Sequence, residues 1–163
     1  MLLGALAGVF CGCGYGPVYG SPSSHYEVVT GRVATSSFEA VQEAAAGVRS
    51  ELGPAGALAS GYPRVVVEVL RVDERSIGVR AASQAPLARG SEIVVVGRAQ
   101  VIERAGAAPA RDTGDLSRSV QFASGATPTA DAAARSRAVR DAARALGRAL
   151  GRAILGLPEP LEG

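Results

Sequence analysis

EIVVVGRAQVIER, residues 92–104, alternates along its length. Ile93, Val95, Gly97, Ala99 and Val101 fall on one side of an extended chain; Arg98, Gln100 and Arg104 fall on the other. A strand with one apolar side belongs to a sheet that is covered on one face and open on the other. RVVVEVLRVD, residues 64–73, reads as a second strand, bounded by Pro63 and by Asp73-Glu74-Arg75-Ser76, whose composition suggests a turn. SIGVRAA, residues 76–82, alternates through Ile77, Val79 and Ala81, and the short connection makes it the return arm of an antiparallel hairpin. APLARGS, residues 85–91, is the next turn. YEVVTGRVAT, from Tyr26, and RSVQFASG, from Arg118, supply the first and last strands, with a Gly-, Pro-, Ala- and Asp-rich linker over residues 105–117.

Two stretches carry helical spacing. In SSFEAVQEAAAGVRSEL, residues 36–52, Ser36 is placed to cap the helix, with Glu39 three residues on completing a capping box. Phe38, Val41, Ala45, Val48 and Leu52 form a narrow apolar stripe, and Gly53-Pro54 ends the helix. The second helix opens with Thr127 as cap, Pro128 in the first turn and Asp131 behind it, and runs to about Leu155. Val139, Ala142, Leu146, Ala149 or Leu150, and Ala153 give its apolar face. The order is β-α-β-β-β-β-α. The expected fold is α+β, a two-layer sandwich with two helices packed on one mostly antiparallel sheet of four to five strands.

Composition narrows the function classes. Of 163 residues, 47 % are apolar but only 4 % aromatic, and Trp is absent, so the core must be built from Val, Ile, Leu and Ala. All 17 basic residues are Arg, yet the net charge is only +2, too small to attract nucleic acid in bulk. No apolar run reaches the roughly 18 residues of a membrane-spanning helix.

Catalysis and metal binding lack a residue set. His25 is the only histidine, no Lys is present to complete a phosphate-binding loop, and no nucleophile sits in a pattern with a base. Asp112 and Asp115 read as solvated loop acids. The chain is expected to be no enzyme, with no cofactor and no metal site. The second helix carries Arg135, Arg137, Arg140, Arg144, Arg148 and Arg152. They read as a solvated face with local partners such as Asp131 and Asp141, or as a surface for acidic groups. Arg80, Arg98 and Arg104 form a second basic set on the outward faces of the strands.

The N-terminal stretch MLLGALAGVFCGCGYG holds the only two cysteines. Leu2 to Phe10 has the length of a secretory h-region, although no Lys or Arg precedes it. A Cys directly after small residues is the acylation point of a bacterial lipoprotein. Cys11 follows bulky Phe10, whereas Cys13 follows Gly12 with Phe10 three positions upstream, so Cys13 is the expected lipid attachment site. A zinc pair would lack further ligands, and a Cys11–Cys13 disulfide would close a strained loop; an uncleaved apolar N-terminus with incidental cysteines is the remaining alternative. The expected organisation is a signal peptide over 1–12, a lipidated Cys and Gly/Pro/Ser-rich tether over 13–25, an α/β sandwich over 26–157 and a tail over 158–163. Gly14 in place of Asp leans towards the outer membrane.

Cys13-Gly14-Tyr15 resembles the Cys-Gly-Tyr or Cys-Gly-Phe start common in the LptE family of lipopolysaccharide-assembly lipoproteins. The closing stretch RSVQFASGATPTADAAARSRAVRDAARALGRALGRAIL, residues 118–155, is similar to that family's last strand, Pro-containing turn and terminal helix. The resemblance implies the family's sandwich and an outer-membrane lipoprotein anchored on the periplasmic face. It implies an LptD-like β-barrel partner, whose assembly the lipoprotein supports, and binding of lipopolysaccharide on its way to the cell surface. Arg80 and Arg98 are the residues expected to meet lipid A phosphates. The competing reading is another envelope lipoprotein, such as an accessory subunit of a transporter or a regulator of cell-wall synthesis.

Overall fold

The computed structural model describes residues 24–31, 37–78, 89–123 and 127–158. The elements are β1 (Glu27–Thr30), α1 (Phe38–Leu52), β2 (Arg64–Gly78), β3 (Arg89–Ile102), β4 (Arg111–Asp112), β5 (Leu116–Ala123) and α2 (Pro128–Leu155). β1 pairs with β2 in parallel, and β2 pairs with β3 antiparallel over nearly their whole length. The far side of β3 takes β5 along Gly90–Gly97 and β4 along Gln100–Val101, both antiparallel. The fold is the expected α+β arrangement, a mostly antiparallel five-stranded sheet with two helices.

The strand order matches expectation in count but not in composition. Asp73-Glu74-Arg75-Ser76 is no turn: β2 runs straight through it, paired residue for residue with Val94 to Ser91. Polar residues here mark strand positions outside the core, not a reversal. The expected return strand beyond Gly78, and most of the turn before Arg89, lie outside the described residues. The 105–117 linker instead supplies β4 and the start of β5.

Ser37, not Ser36, caps α1, its hydroxyl accepting from the Ala40 amide at 3.4 Å. The helix therefore starts one residue later, and Glu39 falls one position short of where a capping box needs it. Ser36 itself lies outside the described residues. Phe38, assigned from its spacing to the apolar stripe, is 64 % exposed because it is the first helical residue, at the rim of the layer. The α2 boundaries agree with expectation: Thr127 accepts from the Ala130 amide, and Gly156 ends the helix in the left-handed region.

Val65, Val67, Val69, Ile93, Val95 and Ala99 from the sheet meet Val41, Ala45, Val48 and Leu52 of α1 and Ala142, Leu146, Leu150 and Ile154 of α2, all buried. The helices run side by side in the same direction. Glu39 binds Arg140 (2.7 Å), Glu43 binds Arg144 (2.6 Å) and Glu51 approaches Arg152 (4.0 Å), the last pair two turns beyond the second with Gly47 between. At the centre of the ladder the backbones touch. A Cβ on Gly147 would lie 2.0 Å from the Ala44 carbonyl oxygen, and one on Gly47 would lie 2.4 Å from that of Arg144. The arginine stripe of α2 is thus largely answered by acids on α1, and Arg135 is bound to Glu74 of β2 at 2.7 Å.

Helix propensity alone favours Gly147→Ala by about 1 kcal/mol. The clash is with backbone, which no rotamer relieves, so the helices must part and loosen the leucines beneath. The expected net outcome is a loss of about 2 kcal/mol and a melting temperature lower by roughly 10 °C, read by circular dichroism. An unchanged melting temperature would refute the contact.

Candidate functional site

The open face of the sheet is built by a shift of register. From Arg64 to Val69, odd-numbered Val65, Val67 and Val69 face the helices while Val66 and Glu68 face away. A β-bulge between Val69 and Arg71 then inserts Leu70 as an extra residue. Beyond it the parity reverses. Val72 packs against the core and Glu74 reaches α2, while Arg71, Asp73 and Arg75 turn to the open side. Without the bulge those three charges would point into the helix layer. Gly97 makes room for it: a Cβ there would lie 2.4 Å from the Glu68 carbonyl oxygen and 3.1 Å from Leu146.

Two adjoining depressions follow on the open face, sharing Arg71, Val96 and Ser117. One, about 330 Å³, is also lined by Leu70, Asp115 and Leu116. The other, about 430 Å³, is also lined by Arg75, Glu92, Val94, Arg118 and Ser119. Together they make a shallow trough with an aliphatic floor, Val94 and Val96, and sides that carry Arg71, Arg75 and Arg118 together with the carboxylates of Glu92 and Asp115. Val96 is only 8 % exposed although it faces away from the helices. Such a surface suits an elongated amphiphile with anionic groups, since Arg binds phosphate in a fork geometry.

Arg98, the expected phosphate contact, is on this face two residues from Val96. Its Nε donates to Glu68 Oε2 at 3.0 Å, the directly opposed residue on β2. That bond, ahead of the fields of Asp112 and Asp115, raises the pKa of the guanidinium above its ordinary value. Arg71 is similarly engaged by Asp73 at 3.2 Å. Arg104 lies beyond the end of β3 and is exposed. Arg80 and Cys13 lie outside the described residues. Sequence reasoning missed Leu70, Arg71, Arg75, Val94 and Val96. The available signal was the switch of apolar residues from odd positions at 65–69 to even Val72.

Beside the trough, residues 111–114 clasp the sheet to the second helix. Arg111 donates to the carbonyls of Ile154 (2.8 Å) and Ala153 (3.0 Å), capping the negative end of α2. Thr113 exchanges hydrogen bonds with Ala99, its hydroxyl accepting from the Ala99 amide at 3.0 Å. Asp112 accepts from Gln100 and from the Gly114 amide, both at 2.8 Å. The Gln100 bond first, then the Gly114 amide, holds its carboxyl below the usual carboxylate range.

Among the described residues no group of three or more His, Cys, Asp or Glu is placed to hold a metal ion, and no helix is long and apolar enough to cross a membrane. No protein-family model matches the chain, and no curated protein matches it. Solved structures do. A protein described as a lipoprotein, from Caulobacter crescentus CB15, is 16 % identical, with 80 % of this chain and 88 % of that one covered and a TM-score of 0.52. A minor lipoprotein from Acinetobacter baumannii is 11 % identical, with 82 % and 93 % covered and the same TM-score. The likeness is one of fold.

Because Asp112 titrates lower folded than unfolded, its contribution is present above the ordinary carboxylate range and is lost as pH falls through the folded value. Asp112→Asn keeps the shape without the charge. It is expected to melt slightly below the parent at pH 7 and to converge with it as pH drops below 4, in thermal melts across pH.

Proposed function

We propose that this chain is a lipid-anchored outer-membrane protein that supports assembly of an LptD-like β-barrel translocon and binds lipopolysaccharide during its transport to the cell surface. The observation that carries the reading is the fold. It is shared across most of the chain with two proteins described as lipoproteins, in a sequence whose Cys13 follows a short apolar segment. The Cys-Gly-Tyr start and the terminal strand–turn–helix stretch add the family resemblance. The trough adds chemistry of the right kind: an aliphatic floor for acyl chains, with Arg71, Arg75 and Arg98 beside it for phosphates. No enzymatic step is part of the proposal.

Cys13→Ser is expected to move the protein from the membrane to the soluble fraction; unchanged fractionation would end the anchor assignment. A tagged wild-type chain is expected to retrieve a large β-barrel protein from solubilised outer membranes. Retrieval of inner-membrane transporter subunits instead would favour the accessory-subunit reading. Replacing Arg71 and Arg75, both exposed, by Gln is expected to weaken capture of lipopolysaccharide about tenfold, the scale of losing one charge-assisted contact, with the melting temperature little changed. Equal capture by parent and variant would remove the trough from the site.

A further inference from the structure

The chain enters the folded body beside one loop, and that loop is apolar. Tyr26, the residue before β1, is stitched to residues 57–59. Its amide donates to the Ala57 carbonyl at 2.8 Å, and its carbonyl accepts from the Ala59 amide at 2.9 Å. Leu58 sits between them, 41 % exposed, and Tyr62 further along the loop is 43 % exposed. The Arg64 guanidinium lies 4.5 Å from the centre of the Tyr62 ring and is also bound to Glu27. Residues 53–63 contain no charged side chain. The same end of the sandwich carries residues 105–110, beyond the Arg64–Ile102 pair, and residues 156–158, beyond the α2 carbonyls that Arg111 caps. Neither stretch holds a charge, and the exposed Glu103 and Arg104 at the end of β3 form a charged rim beside them.

We infer that this end docks on the headgroup layer of the membrane, with Leu58 and Tyr62 seated at the interface and Arg64 near the lipid phosphates. The inference rests on the lipid-anchor reading of Cys13. Thirteen positions separate Cys13 from Tyr26, a length whose coil average is about 20 Å. α1, at 15 residues, is itself about 22 Å long and separates this end from Phe38 at the other. A short tether therefore holds the 53–63 end, rather than the Phe38 end, against the bilayer. Tyr with an adjacent aliphatic is the side-chain chemistry of the membrane–water boundary, the ring buried and the hydroxyl wet. Two such side chains bind a bilayer only weakly when free. An anchor raises the effective concentration to the millimolar range, at which weak docking becomes populated. Docked this way, the body stands with its sheet and helices running away from the bilayer, and the trough faces sideways, open to a partner.

The test uses the absence of Trp. Leu58→Trp and, separately, Phe38→Trp place a single reporter at either end of the chain that begins at Cys13, the mature form of the lipid-anchor reading. Each protein is joined through the Cys13 thiol to a maleimide lipid in vesicles of phosphatidylethanolamine and phosphatidylglycerol. The coupling is chemical, so the readout does not depend on whether cells acylate Cys13, which the Cys13→Ser fractionation tests separately. The expected result is a blue-shifted emission at position 58, quenched by brominated acyl chains several-fold more than emission from position 38. Adding Tyr62→Ser should reduce that quenching. Equal quenching at both positions, or none at either, overturns the inference. A blue shift at position 58 that grows with protein concentration in the absence of vesicles also overturns it, because the loop then covers itself with a second copy.

Discussion

Two helix backbones meet at the centre of the helix layer. Gly47 and Gly147 leave no room for a side chain on either, and every other contact of the helix layer is set by that distance. With the backbones touching, Glu39, Glu43 and Glu51 on α1 come opposite Arg140, Arg144 and Arg152 on α2. The same closeness lets both helices reach down onto one narrow set of Val, Ile and Ala on the sheet. A core of small side chains with almost no aromatics closes only if its layers lie near each other. The exposed ion pairs add little energy each; they fix the sliding register that glycines alone would leave free.

Much of this architecture was legible. The alternation of residues 92–104 announced a sheet with one covered face, and Thr127-Pro128 announced a long helix whose start and end were read correctly. The misreadings share a cause. Asp73 to Ser76 looked like a turn because they are polar, but Asp73 and Arg75 lie on the open face of the sheet and Glu74 is answered by Arg135 of α2, so no reversal is needed. Phe38 looked buried because periodicity does not register where a helix begins. The two helix glycines carry no hydrophobic signal, so the stripes that were read describe only the faces towards the sheet. The face between the helices, Ala44, Gly47 and Gly147, was silent.

The candidate site was harder to see because it depends on a parity change. Arg98 was recognisable as outward-facing from its own strand. Arg71 and Arg75 were not, because their side of the sheet depends on Leu70 being the unpaired residue of a bulge. The partners of charges were equally hidden. Glu68 is 30 residues from Arg98, and Glu39 is 101 residues from Arg140. Local spacing suggested neighbours on the same helix, whereas the fold supplied acids from another element. What remained readable was chemical type: an all-arginine chain with aliphatic strands.

The meeting of α1 with α2 has a temporal side. The two segments are about a hundred residues apart, and α2 is the last of the described elements to be synthesised. Until it emerges, the apolar sides of β3 and β5 and the face of α1 that meets α2 have nothing to close over them. The chain cannot therefore fold piecemeal from its first residues, because loop closure must bring the final segment home before the core is sealed. Commitment of this sandwich to its native packing waits for α2, and until then its exposed apolar surface must be kept from sticking to its neighbours.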